Sequence, residues 1–483
     1  MKKLSVLLVL FILPCYFLFS SCDKKSERTT YEITCELEGN ILKGKETVCF
    51  YNSTENAFNS LKFNLFSNAF RCDATYSPIS EQYKHKAYYS GESFGGIIID
   101  SVLDEKGGAL TFNITGKDKN ILEVILTEEV FPEEVAVVVI DYTITLANVI
   151  ARTGINSKTI NLANFYPILC GIENGAFYEC VYFSSGDPYF SDVSNYLVNF
   201  TYDEKYVVAS SGNVKKSESK NGKVTTLYTL DGARDFALVL STDFEYLTRD
   251  INGIEINYYF YDDNSPEKSI NYAVESMEYF IKTFGNYPYK KYSVVQTEFV
   301  QGGMEFPALV MISDDLEEMA YGEVIVHETA HQWWQTTVGN NEVEYGFLDE
   351  GLAEYSVVLF YENHPNYGVK RETLITSSEK TFKTFCTVYD KLFSKVDTSM
   401  LRSLDKFSSE YEYVNIAYIK PTIMYDNLRK TIGEEKFFSA LKNYYKAYYL
   451  KNSKPDYLVA EFEKQVKDTS GYFYSFFDGK AII

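Results

Sequence analysis

The sequence lacks most of the short signatures that mark an enzyme at sight. It has no Walker-type phosphate loop, no GxGxxG after a strand and no CxxC pair. These absences argue against nucleotide-binding and thioredoxin-like readings. Positive charge is also scarce: 46 Lys and Arg stand against 67 Asp and Glu, a formal net charge of −21. Such a surface repels a phosphate backbone, so nucleic acid is not expected as a partner. Histidine numbers only 4 and tryptophan 2, so any histidine cluster carries information. Beyond the first 21 residues no stretch is apolar enough to span a membrane.

What is present is a globular composition, 46% hydrophobic and 23% charged over 483 residues, long enough for two or three domains. The 42 Tyr and 35 Phe favour half-buried strands, so a large β component is expected. Met1-Lys2-Lys3 followed by the apolar run Leu4 to Phe19 and the small residues Ser20-Ser21 reads as a secretory signal over residues 1–21. Leu18-Phe19-Ser20-Ser21-Cys22 resembles a bacterial lipobox with Phe19 where Leu is usual. Cys22 is therefore the expected lipidation site of an exported lipoprotein, anchored to a membrane on the extracytoplasmic side. An ordinary cleaved signal or an uncleaved anchor is the alternative. Residues 23 to 30 are polar and read as a tether. Six cysteines remain, which permits disulfides or free thiols. Cys35 and Cys49 flank a hairpin turn near Gly39-Asn40 and could face one another, and Cys170 and Cys180 are close in sequence.

From Tyr31 to about Asp250 the pattern is strand-like. Segments such as Tyr196 to Tyr202 and Val135 to Thr145 are separated by Gly, Asn, Asp and Lys clusters, which predicts a β-sandwich or saddle. From Ile251 helical spacing takes over, with helices expected near 269–284, 321–338, 350–362, 422–432, 434–449 and 455–467. The fold class is thus α+β: an all-β domain over residues 31–250, then a mainly helical one over 251–483.

Within the helix expected at 321–338 lies His327-Glu328-Thr329-Ala330-His331. Residues four apart share a helix face, so both imidazoles can reach one ion, and Glu328 lies beside them as a general base. Zinc needs a third protein ligand and leaves a fourth position for water. Eighteen residues separate His331 from Glu350, which opens the next expected helix and completes a His2Glu set for one Zn2+. Glu354, one turn on, is either a partner for a ligand imidazole or a solvated helix residue.

HExxH followed at this distance by Glu is similar to the gluzincin metallopeptidases, and specifically to the M1 aminopeptidases. Gly302-Gly303-Met304-Glu305-Phe306-Pro307 resembles that family's GxMEN segment, and Tyr418-Ile419-Lys420-Pro421 its Tyr-x-Lys-Gly segment. Stretches of the N-terminal half, 61–70 and 186–193, are similar too. The resemblance implies a thermolysin-like fold for the helical domain. It implies zinc on His327, His331 and Glu350, Glu328 as general base, and Tyr418 as hydrogen-bond donor to the oxyanion. Gly302, Gly303, Met304 and Glu305 would bind the peptide substrate, with Glu305 holding its α-ammonium. Phe306 replaces the family's Asn and Pro421 its Gly, and the helical superhelix that usually closes the cavity is not expected. An endopeptidase or oligopeptide-releasing enzyme on the same scaffold, or a non-catalytic peptide-binding surface lipoprotein, is the alternative to an aminopeptidase.

Overall fold

A computed structural model describes residues 26–393 and 395–481. Residues 1–21, Cys22 and residues 23–25 of the tether lie outside the described residues. The N-terminal unit is built on a seven-stranded sheet. Its strands are β1 (Thr30–Glu38), β2 (Ile41–Tyr51), β3 (Gly96–Asp104), β4 (Val135–Thr145), β5 (Ser194–Asp203), β6 (Asn213–Lys220) and β7 (Lys223–Ala233), in the order β6-β7-β5-β1-β2-β4-β3. Only β1 and β5 pair in parallel. Successive side chains of a strand point to opposite faces, and β1 buries Tyr31, Ile33, Cys35 and Leu37 on one side while β5 buries Tyr196, Val198, Phe200 and Tyr202. Tyr31 and Tyr196 stack with ring centroids 5.0 Å apart. A second sheet of Ile168–Leu169, Phe58–Asn64, Ile121–Val130 and Phe112–Thr115 contributes Leu61, Phe63, Leu122 and Val124 to the same core.

The β1–β2 register corrects one expectation. Cys35 lies opposite Gly44 and Cys49 opposite Thr30, because Cys49 is much further from the Gly39-Asn40 turn than Cys35. The two do not face one another, and Cys35, Cys170 and Cys180 are buried free thiols.

A five-stranded sheet precedes the helices: β8 (Glu245–Ile251), β9 (Ile254–Phe260), β10 (Lys291–Thr297), β11 (Gly303–Phe306) and β12 (Leu309–Ser313), in the order β8-β9-β10-β12-β11. Residue 250 falls inside β8, which turns into β9 through Asn252 and Gly253, both at positive φ. The helices are α1 (Pro266–Thr283), α2 (Glu318–Ala330), α3 (Phe347–Asn363), α4 (Arg371–Phe393), α5 (Lys420–Ile432), α6 (Glu434–Ala447), α7 (Pro455–Glu463) and α8 (Thr469–Phe477). Among the described residues no helix is long and apolar enough to cross a membrane.

Helix α2 ends at Ala330, not near 338 as its apolar spacing suggests. Trp333 and Trp334 are buried, but their indoles reach in different directions, to Gly285 O and to Ser356 Oγ. The chain then reverses at Gln335, a non-glycine residue at φ 121°. Helix α3 is buried nearly all round, as expected of a helix at the centre of a domain. It packs so closely on α5 that a Cβ on Gly351 would sit 2.5 Å from Pro421 Cβ. The Pro that replaces the family's Gly is accommodated because a π-turn, Asn415–Ile419, precedes it. There the backbone carbonyls are already out of the i−4 register that proline obstructs.

Arg234, at the end of the β domain, ties the two units together. Buried, it donates to Ser191 O on its own side and to Thr336 O, Lys451 O and Asn452 Oδ1 on the other.

The α3–α5 contact gives a direct test. Gly351→Ala forces a methyl against the rigid Pro421 ring and should cost about 1–3 kcal/mol. Both Trp residues, at 333 and 334, lie in the helical unit, so their fluorescence during urea unfolding reports this unit. An unchanged midpoint would show that the two helices are further apart than described.

Candidate metal centre and substrate cleft

Helix periodicity alone brings His327 and His331 together, with their Nε2 atoms 3.0 Å apart. Glu350, in the first turn of α3, points Oε2 at both, 3.3 Å from His327 and 3.2 Å from His331. The other ring nitrogens are occupied. His331 Nδ1 lies 2.9 Å from the carbonyl oxygen of Trp334, and His327 Nδ1 lies 3.0 Å from Glu354 Oε2. A carbonyl can only accept, so His331 carries its proton on Nδ1, and an ionised Glu354 places the proton of His327 likewise. Both Nε2 atoms then present bare lone pairs beside a carboxylate oxygen. Three mutually facing acceptors need a cation, and two imidazoles with one carboxylate, each held from behind, are a donor set that suits Zn2+. Glu354, left open by the sequence, is thus the partner of a ligand imidazole.

Glu328 is buried against the backbone of Gly303, where any side chain would collide with its carboxylate. Its Oε2 has no hydrogen-bond partner. Burial first, and then the charge of Glu305, push its carboxyl up to about 8. Glu305 itself sits on β11, the edge strand of its sheet, and is only 4% exposed. Its Oε1 is also unpartnered, and one of its oxygens lies within 4.8 Å of ligand atoms of Glu328 and His331.

Two carboxylates join Glu305 that sequence reasoning gave no role. Asp187 arrives from the loop before β5 and Glu342 from the segment before α3, and the three converge within 4.8 Å. Asp187 is paired with the buried Arg152, yet burial still lifts its carboxyl to about 7. Glu342 accepts from Gln335 Nε2 at 3.0 Å, and its second oxygen is unpartnered. The positive φ of Gln335 aims that amide, so backbone strain is spent on orienting one carboxylate. The only signals in the sequence were the Gly186-Asp187-Pro188 turn and a Glu between the metal helices, and neither has a periodicity that points to the site.

Tyr418 lies in the π-turn before α5. Its hydroxyl donates to Glu350 Oε1 at 2.5 Å, and its ring stacks on His327 with centroids 5.9 Å apart. A cavity of about 490 Å³ opens over these groups, lined by Gly302, Gly303, Glu305, Glu328, the three candidate ligands and Tyr418. Met304 alternates to the other face of β11 and lines a smaller pocket with Phe306. Phe306, where an amide was expected, is buried, and its carbonyl accepts from Gln332.

Residues 268–477 match the family model described as Peptidase family M1 domain. Aminopeptidase 2 of Candida albicans is 25% identical over 280 residues, 54% of this chain and 30% of that protein. Aminopeptidase N of Haemonchus contortus is 24% identical over 253 residues, 48% and 25% of the two chains. The chain therefore spans about 30% of the length of the first of these relatives. Crystal structures of an M1 zinc metallopeptidase from Deinococcus radiodurans match 95% of this chain with a TM-score of 0.67, at 15% and 16% identity. One of them is bound to a Tyr-Ser-Ala substrate. The fold of the described chain is that of these two-part metallopeptidases.

The metal centre predicts its own stoichiometry. Purified protein loaded with zinc should hold one equivalent by elemental analysis, His331→Ala should hold none, and Glu354→Gln should bind about 10–100-fold more weakly. Full metal content in His331→Ala would refute the ligand set.

Proposed function

We propose that this chain, whose residues 268–477 match the peptidase family M1 domain, is a zinc-dependent aminopeptidase that removes the N-terminal residue of peptides. One observation carries the reading. On the edge strand beside the candidate metal ligands, a nearly fully buried carboxylate, Glu305, has an oxygen without a partner and a second acid, Asp187, beside it. A site that cut only internal bonds would gain nothing from a buried negative charge one residue from the reaction. A free α-ammonium satisfies it.

Edge strand β11 leaves unpaired backbone groups that an extended peptide can add to as a further strand. Gly302 and Gly303 let its backbone come close. Glu305, backed by Asp187, fixes the ammonium end and so sets which bond lies over His327 and His331. His327, His331 and Glu350 would hold zinc, which when bound would supply Lewis acidity for the scissile carbonyl and the attacking water. Glu328 takes the proton of that water and later delivers it to the leaving amine. Tyr418, now donating to Glu350, has its hydroxyl beside the reacting centre and can turn its proton to the developing oxyanion.

Two variants divide these roles. Glu328→Gln should keep its zinc and lose turnover by about 10²–10⁴, and an active variant would remove Glu328 as the base. Blocking the ammonium leaves Glu305 buried and unpaired, at about 2–5 kcal/mol. N-acetylated peptides should therefore be cut roughly 30- to several-thousand-fold more slowly than free ones, and Glu305→Ala should collapse that ratio. Equal cleavage of free and acetylated peptides would move the reading to an endopeptidase.

Location rests on the sequence alone. The order of the n-region, the apolar run and Ser-Ser-Cys supports a lipid on Cys22 and an extracytoplasmic membrane anchor. Wild-type protein should partition with the membrane fraction and Cys22→Ser should not. Finding both in the same fraction would end the lipoprotein reading.

A further inference from the structure

The cleft carries an acid that none of the steps above uses and that has no partner among the described residues. Glu323 lies on α2, one turn before His327, and lines the cavity over the candidate metal ligands. It is half-buried and has neither a hydrogen bond nor an ion pair among the described residues. Burial, and then the nearby charge of Glu354, push its carboxyl up to about 7, as happens to an acid with no cation beside it. Apart from Glu305 and Glu328, the other charged side chains of the cleft are already engaged. Arg152 is on Asp187, Lys86 is on Asp315 at 2.6 Å, Glu354 is on His327, and Glu410 accepts from Gln82 at 2.7 Å.

The direction of a bound peptide follows from the two elements that flank the cleft. Ala320, Glu323, His327 and His331 form one stripe of α2, spaced three and four residues apart. Strand β11 runs beside that stripe. The ammonium end belongs at Glu305, close to His331. Toward the other end Gly303 lies against Glu328, and a Cβ on Gly302 would stand 3.4 Å from Val324. A peptide that starts at Glu305 and pairs with β11 therefore leaves toward Glu323. One helical turn is about 5.4 Å and an extended residue about 3.3 Å. Glu323 thus stands one to two residues beyond the metal ligands, on the leaving-group side.

Resting on the aminopeptidase reading for the peptide's direction, we propose that Glu323 is a specificity site for a cationic side chain, Lys or Arg, on the second residue of the substrate. The ammonium or guanidinium would give Glu323 the partner that the protein does not supply. An acidic second residue would meet Glu323 and Glu354 together and be rejected.

The test compares Ala-Lys-Ala, Ala-norleucine-Ala, Ala-Glu-Ala and Ala-Ala-Lys with the zinc-loaded enzyme and its Glu323→Gln variant. Ala-Lys-Ala should exceed the uncharged norleucine peptide about tenfold in kcat/KM, with Ala-Glu-Ala slowest. In Glu323→Gln the ratio should fall to about one. A second readout uses no turnover: the affinities of Ala-Lys-Ala and Ala-norleucine-Ala for Glu328→Gln, with and without Glu323→Gln, measured by calorimetry. If no free peptide is hydrolysed, the aminopeptidase reading fails while calorimetry still judges Glu323. No preference for Lys in either readout, or a preference that survives Glu323→Gln, overturns the proposal. A larger effect for Ala-Ala-Lys than for Ala-Lys-Ala overturns its assignment to the second residue.

Discussion

Three acceptors that repel one another meet at the centre of the molecule: His327 Nε2, His331 Nε2 and Glu350 Oε2, none further than 3.3 Å from the next. Left to itself such a cluster would spread apart. It is held by elements that have no freedom to yield. Helix α3 is buried on nearly every side, and the carbonyl of Trp334 and the carboxylate of Glu354 fix the two rings from behind. Much of the helical unit serves this one purpose. The end of α2 at Ala330 frees Trp334 O to meet His331, and the contact between Gly351 and Pro421 brings Tyr418 over Glu350.

The same logic of enforced like charge extends outward from the metal ligands. Asp187, Glu305 and Glu342 converge from three separate parts of the chain, and only Asp187 has a cation beside it, Arg152. A protein interior tolerates this only where a proton or a positive ligand completes it. The cleft is therefore built around absent positive charge, and the net charge of −21 extends that field to long range.

The metal set was legible because it is local. A period of 3.6 residues places His327 over His331 whatever the rest of the fold does, and Glu350 opens the next helix. The β-rich first half was equally readable. Other features were not. The strands β10 and β12 are short and buried on both faces, with no alternation to separate them from helix. Helix α4 was missed because its exposed side is dense in Thr, Ser and Lys, while only Ile375, Phe382, Phe385 and Tyr389 reach the core. The overrun of α2 came from Trp333 and Trp334, which continue a helical pattern although the backbone has already turned. Asp187 and Glu342 share no spacing with Glu305, and only the tertiary fold brings them together.

Arg234 has a consequence for anyone who would divide this chain. A fragment covering 268–477 would keep the carbonyls of Thr336 and Lys451 and the amide of Asn452 but lose the guanidinium that joins them. It would also lose β8 and β9, and so expose the flank of β10. Asp187, which meets Glu305 and Glu342 within 4.8 Å, would go with the discarded half. The boundary drawn by family resemblance is thus not a physical one: the acidic cleft, as a folded object, begins in the β domain.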